Sequence, residues 1–452
     1  MPLDALETNE SSAAADESAV ALTVARRSER FTPPVPQRLT DTRLPASLVE
    51  QLILKVLYFR GELMCSDLCK SIGLAFSCIE EMVASFKNSH LIQVKKSLGY
   101  GPISEILLLT EKGRSVSRDY LENNQYVGPA PAPMPQYQSA VEQQRLPRNW
   151  LSAERLRKAY SHVVVTEDML DQIGPAVTSG KSLLLYGQPG NGKTHLAQAL
   201  INIKTSDIYL PHSLECQGNI IQLYDPIYHQ PINHDGLSES QQYDKRWICC
   251  RRPFIASGGE LSLSMLDLSH NATSHVYDAP LQLKANNGIY LIDDFGRQKA
   301  TSTEILNRWI VPMEQRIDYL SFLSGGKMTV PFDTFLIFST NLSPDRLGDE
   351  AFLRRIQYKV LVASPSHDEY RKIFCQYCEQ QGLTHTEHLF ETFLTKHYVN
   401  TGKQLRRCHP RDVISQAIDY LNFQRLPYQL SGDVLDKAFA SCFVSTTNLS
   451  ET

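Results

Sequence analysis

From Lys181 to Leu200 the chain reads KSLLLYGQPGNGKTHLAQAL. Ser182–Tyr186 is an apolar run of strand length, and a helical pattern begins after Thr194. Between them stands Gly187-Gln188-Pro189-Gly190-Asn191-Gly192-Lys193-Thr194. Glycine and lysine at this spacing, between a buried strand and a helix, make a phosphate-binding loop. Successive backbone N–H groups must turn inward around phosphate oxygens, and a Cβ at the glycines would block them. Lys193 is spaced to reach the β- and γ-phosphates, and the Thr194 hydroxyl to bind Mg²⁺. The helix N-terminus adds its positive dipole end. The expected ATP-binding set is therefore Gly187 through Thr194, with His195 beside it.

A second apolar strand, Gly288-Ile289-Tyr290-Leu291-Ile292, ends in Asp293-Asp294. Strands often end in Asp, but this one follows the loop lysine by 100 residues in an alternating strand–helix stretch. Asp293 is then the expected second Mg²⁺ partner and Asp294 the residue that polarises an attacking water. A third apolar strand, Phe335–Thr340, ends at Asn341 in a Phe-Ser-Thr-Asn context.

In this order the motifs resemble those of the AAA+ ATPases. The resemblance covers about Leu151–Phe443 and implies a P-loop parallel-sheet core over residues 151–362 and a C-terminal helical lid over 363–452. It implies that Asn341 orients the water. It implies that Glu350-Ala351-Phe352-Leu353-Arg354-Arg355-Ile356 carries an arginine finger, Arg354 or Arg355, for a neighbouring subunit's site. It implies that Arg411, in His409-Pro410-Arg411-Asp412, contacts the nucleotide from the lid. A ring, usually a hexamer, follows from a trans arginine. The second acid of such enzymes is usually Glu; Asp294 is one methylene shorter, as in DnaA-type and DnaC-type members. DYLSFLSGGKMTVPFD reads as a hairpin turning at Ser324–Lys327, just before the Asn341 strand, as in the pre-sensor-1 branch with its MoxR-type and MCM-type members. DIYLPHSLECQGNIIQLYDP, between the two phosphate-site motifs, reads as another hairpin, and Tyr228–Lys245 as a polar segment.

N-terminal to this core, residues 1–43 are rich in Ala, Ser, Glu, Thr and Pro without a sustained apolar period, the composition of a disordered tail. Residues 44–125 show three helical patterns: one over Leu48–Leu57 closed by Gly61, one over Glu62–Ser71 closed by Gly73, and one over Ser77–Asn88. Two strand-like runs follow, Leu91–Lys95 and Ile103–Leu109, then a helix over LTEKGRSVSRDYLE. This resembles a winged helix, a small α+β domain. Its third helix carries Glu80 and Glu81 against Lys87 alone, which favours protein docking over reading of DNA. The Pro-Ala alternation of residues 126–150 reads as a semi-rigid linker. The fold class expected is thus α/β, an AAA+ core with a lid, preceded by the small domain.

The chain has 452 residues, with Lys+Arg 45 against Asp+Glu 49 for a net charge of −4, and is 42% hydrophobic. That is enough apolar content for real cores and excludes a polybasic, histone-like protein. The 10 cysteines are too dilute for a disulfide scaffold and suit a reducing compartment. Cys375-Gln376-Tyr377-Cys378 has CxxC spacing but no second pair, so a zinc site is not expected. No secretory signal or membrane-length apolar run is present, so a cytoplasmic protein without membrane insertion is expected. The function expected is ATP hydrolysis coupled to remodelling of a protein client. The alternatives are a DNA-associated ATPase tethered by the winged helix, and an ATP-binding scaffold with little turnover.

Overall fold

The computed structural model describes residues 31–232, 243–347 and 353–443, which fall into two units. The second unit comprises Leu146–Thr205, Pro253–Ser269 and Pro280–Thr452. Its sheet has five strands, β1 (Leu183–Tyr186), β2 (Phe254–Ser257), β3 (Ile289–Ile292), β4 (Phe335–Thr340) and β5 (Tyr358–Leu361). They lie in the order β2-β3-β4-β1-β5 with every pair parallel. Parallel strands are covered on both faces, hence near-continuous apolar runs such as LLLY and IYLI. Leu183, Leu185, Leu291, Ile337 and Val360 pack with α2 (Glu167–Ser179) and α3 (Lys193–Ala199), beside α1 (Ala153–Ala159). The placement of β4 between β1 and β3 brings the end carrying Asn341 between the phosphate loop and the paired acids.

After β3, a capping box of Thr301 and Glu304 starts α4 (Ser302–Gln315). An antiparallel hairpin follows, Ile317–Ser321 against Lys327–Pro331, with Gly325 at φ 84° in its turn. The C-terminal segment, residues 363–443 as described, carries α5 (His367–Gln380), α6 (Glu387–Leu394), α7 (His409–Gln424) and α8 (Gly432–Cys442). They enclose a core of Tyr370, Phe374, Phe390, Phe393 and Tyr398. Cys378 occupies the same buried stripe of α5 as Tyr370 and Phe374, so its i, i+4 spacing is a packing period.

The first unit comprises Met1–Arg145, Ser206–Arg252 and His270–Ala279. Helices span Ala46–Arg60, Cys65–Ile72, Phe76–Asn88 and Glu111–Asn123. A three-stranded antiparallel sheet is ordered Leu63–Met64, Glu105–Leu109, Ile92–Ser97. The LTEKG stretch has a steric reason. Thr110 caps the last helix by accepting from the Gly113 N–H, and a Cβ on Gly113 would stand 2.0 Å from the Leu91 carbonyl oxygen.

Three expectations are corrected here. Residues 126–150 are not a bare linker. Ala132–Pro133 pairs in parallel with Leu214–Glu215, and the helix Met134–Gln143 buries Met134, Tyr137, Ala140 and Val141. The small side chains of the Pro-Ala run fit where larger ones would not, and Ala130 and Ala132 are fully buried. The long stretch between the phosphate-site motifs, likewise, is not an elaboration of the nucleotide core. Its hairpin, Ser213–Cys216 with Asn219–Gln222, turns at Gln217 and Gly218, both at positive φ, and belongs to the first unit. The buried pair Arg246–Asp244 holds that unit together: Arg246 donates to the carbonyls of Thr42 and Pro131 and to the Gln136 side chain. Residues 31–43 are accordingly packed, with a short helix over Leu39–Thr42 and Thr42 buried, while the rest of the expected tail lies outside the described residues.

Candidate functional site

The phosphate loop joins β1 to α3 and bends where its glycines allow. Gly187, Gly190 and Gly192 have φ of 144°, 79° and 80°. A Cβ on Gly187 would lie 2.4 Å from the Val362 carbonyl oxygen, and one on Gly190 would lie 2.7 Å from Cys408 Sγ. Asn191 is fully buried; its amide donates to the Val362 carbonyl (3.2 Å), while its Oδ1 has no partner among the described residues. Gln188 and Pro189 are exposed at the tip.

Lys193 points back under the loop. Its ammonium donates to the carbonyls of Gly187 (3.0 Å) and Gln188 (3.1 Å) and to Asn341 Oδ1 (2.6 Å). Burial holds its pKa below the usual lysine value, and Asp294 and Asp293 oppose that shift. Asn341 Nδ2 donates in turn to Asp294 Oδ1 at 2.8 Å. The Thr194 hydroxyl lies 3.0 and 2.8 Å from the two oxygens of Asp293. The five residues expected from three separate motifs are thus linked into one constellation.

The acids are braced by residues the motif reading did not single out. Asp294 has a left-handed backbone, φ 49°, and its N–H donates to Asp293 Oδ1. The Gln298 amide donates to the Asp293 carbonyl and its Oε1 accepts from the Gly296 N–H, both at 2.8 Å. The Phe295 N–H donates to the Ser339 carbonyl, and the Thr340 hydroxyl to the Phe295 carbonyl, which fixes the turn after β3 to β4. A left-handed aspartate next to the strand end is a local signature, but it shows only in the backbone.

The helical segment reaches the loop through residues other than the one expected. The Cys408 N–H donates to the Gly190 carbonyl at 2.9 Å, and Arg406 Nη1 donates to Ser364 Oγ at 2.5 Å. The charge of Arg406 is felt at Lys193. Arg411 is bonded instead to its neighbour Asp412, at 3.1 and 3.0 Å, and is largely exposed. His195 meets the His162 ring edge-on at 5.8 Å; partial burial, with His162 and Arg411 nearby, holds its imidazole below the ordinary value. Arg355 Nε donates to Glu314 at 2.7 Å, and Arg354 is exposed. Neither belongs to the Lys193 constellation, and Glu350, Ala351 and Phe352 lie outside the described residues.

Residues 366–441, the α5–α8 region, match a family described as a domain of unknown function (DUF8689). No curated protein matches the chain. Among solved structures, NtrX from Brucella abortus is similar at 13% identity and a TM-score of 0.39, over 65% of this chain and 58% of that one. NtrX in complex with ATP aligns at 12% and 0.37, over 76% and 62%. A RuvB point mutant from Thermotoga maritima aligns at 13% and 0.34, over 64% and 70%. The chain thus spans about three fifths of the length of NtrX.

Proposed function

We propose that the chain is a Mg²⁺-dependent ATPase of the AAA+ class, with an N-terminal winged helix and a helical lid, that couples hydrolysis to remodelling of a protein partner. The observation that carries this reading is the path from Lys193 through Asn341 to Asp294, with Thr194 and Asp293 converging beside it. The donor set fits a nucleotide with its cation. The loop is a cradle that a Cβ at Gly187 or Gly190 would close, and a hydroxyl paired with a carboxylate is a hard-oxygen site of the kind Mg²⁺ takes. Bound Mg²⁺ would neutralise phosphate charge.

The residues then divide the work. Lys193 exchanges its loop carbonyls for phosphate oxygens and supplies a buried positive charge. Thr194 and Asp293 would hold the cation. Asp294 accepts a proton from the attacking water, and Asn341, fixed to both Asp294 and Lys193, sets the angle of that water against the γ-phosphate. Arg354 or Arg355 from another copy stabilises charge at the transition state. Protein rather than DNA is the favoured partner because the third helix buries Cys78, Ile79, Met82, Val83 and Phe86 and exposes Glu80 and Glu81, which repel phosphates.

The test is phosphate release from ATP by the full chain, with and without Mg²⁺, against Lys193→Ala. Mg²⁺-dependent turnover that Lys193→Ala removes supports the reading. Tight ATP binding without turnover at any protein concentration favours the ATP-binding scaffold. Retention on duplex DNA that falls steeply with salt, and is unchanged by scrambling the sequence, would move the partner to nucleic acid.

A further inference from the structure

The first unit contains a pocket that the nucleotide reading does not use. It has a volume of about 180 Å³ and opens between the helix Ala46–Arg60 and the Ser213–Gln222 hairpin. Leu48, Leu52 and Lys55 line one side, and Glu215, Gly218 and Ile220 the other. Lys55 is an anomaly in its helix. It is only 2% exposed, between Leu54 and Val56 in the apolar core. Its ammonium has three donors and finds two acceptors, both on Asn124: the main-chain carbonyl at 3.2 Å and Oδ1 at 2.7 Å. No carboxylate pairs with it among the described residues, and the third N–H has no acceptor there. Buried charges are normally paired, so this cation lacks its partner.

The other titratable groups of the pocket are already engaged. The Tyr126 hydroxyl donates to the Pro129 carbonyl and accepts from Ser213, and burial pushes its pKa up to about 12. One oxygen of Glu215 accepts from the Gly218 N–H. These two and Lys55 are the titratable groups that line the cavity.

We propose that this pocket binds a small organic monocarboxylate, its carboxylate on the Lys55 ammonium and its apolar body against Leu48, Leu52 and Ile220. The volume exceeds the ~150 Å³ cavity that accepts a benzene ring, so an aromatic or branched aliphatic acid fits. One ammonium matches one negative charge. The Glu215 carboxylate on the opposite wall repels a second, which disfavours phosphate and phosphate esters. The site is independent of the nucleotide chemistry and joins an N-terminal helix to a hairpin inserted some 160 residues later.

The experiment is calorimetric titration of the full chain with sodium benzoate, with benzamide and inorganic phosphate as comparisons. Benzoate should bind at least about tenfold more tightly than benzamide, the cost of losing a charge-assisted bond. Burial lowers the Lys55 pKa to about 8, so benzoate binding should weaken as pH rises from 7 to 9 and the ammonium is lost. Lys55→Gln should lower benzoate affinity at least about tenfold while leaving ATP affinity unchanged. If that variant does not fold, Leu48→Trp at the half-buried mouth decides, since it fills the pocket and keeps Lys55. Equal binding of benzoate and benzamide, tighter binding of phosphate, no benzoate binding at about 10 mM, or full benzoate affinity in Lys55→Gln or Leu48→Trp would overturn the proposal.

Discussion

Asn341 is the residue on which the proposed nucleotide site turns, because among the described residues it makes the one side-chain hydrogen bond to Lys193 and also holds the Asp294 carboxylate. Removing it should leave ATP binding to the loop and Lys193 but release the angle of the water. Asn341→Ala is expected to lower turnover about 10²-fold with nucleotide affinity little changed, in steady-state kinetics paired with fluorescent-nucleotide titration. Asp294→Asn should trap ATP for a related reason, since the amide keeps the bond geometry and loses the base. Lys193→Ala should fail at binding itself. His409 stands next to Cys408 at the start of α7. The Tyr370 hydroxyl donates to Tyr398, whose own hydroxyl meets His409 Nδ1 at 3.1 Å, and burial pushes the imidazole down to about 4. The folded state therefore holds neutral His409 where the unfolded chain, with its ordinary value of 6.5, takes up a proton. Stability from this group is full above pH 6.5 and is lost as pH falls toward 4. Thermal midpoints across that interval should drop in the wild type and flatten in His409→Gln, whose side chain has no proton to gain.

Among the elements, Gly190 and Gly113 stand where an added Cβ would collide. Gly190→Ala would place a Cβ 2.7 Å from Cys408 Sγ at φ 79°, where the α7 N-terminus bonds the loop. ATP affinity should fall, and Cys408→Ala added to it should restore part of the loss by removing the sulfur while the backbone strain of roughly 1–2 kcal/mol remains. Gly113→Ala meets the Leu91 carbonyl, which is itself fixed by the Thr110 N–H, so the first unit should lose about 1–3 kcal/mol in denaturant unfolding. What the sequence made legible follows from the range of the forces involved. Strands β1, β3 and β4 announced themselves because parallel burial demands continuous apolar runs, and Lys193, Thr194, Asp293 and Asn341 stand at the ends of those runs. Gln298, Ser364, Arg406 and Cys408 gave no such sign, because they reach the site from loops whose position depends on tertiary packing. The Pro-Ala run of residues 126–150 misled for the opposite reason. Its local preference is extended chain, and only contact with Leu214 and Glu215 makes Ala132 and Pro133 part of a sheet. Nothing local marks residues 206–252 as partners of the N-terminal helices, since a hairpin's period records which face is buried but not against what.

On the scale of the whole molecule, the chain enters and leaves each unit repeatedly, with three segments in each. A fragment of residues 44–125 therefore lacks Arg246 and Asp244 and the helix Met134–Gln143, and client or DNA binding belongs to experiments on the full chain. At this scale the two arginines decide whether one chain can complete the proposed catalytic site. Lys193, Thr194, Asp293, Asp294 and Asn341 are assembled within it, and neither Arg354 nor Arg355 joins them. Arg355 is half-buried and bonded to Glu314 of its own chain, and Arg354 is the more exposed of the two. An arginine that acts on a neighbour must be presented at the surface, so Arg354 is the better suited of the two. If it completes the site of another copy, turnover per subunit should rise with protein concentration. Arg354→Ala should abolish turnover while binding ATP normally, and mixing it with Lys193→Ala should restore activity. In that mixture one subunit brings an intact loop and the other an intact arginine, so some interfaces hold both. Arg355→Ala should instead lower the thermal midpoint slightly, by the worth of one half-exposed ion pair, with turnover largely kept. Concentration-independent turnover, or no recovery on mixing, would place the whole reaction within a single chain and leave Arg354 to some other task.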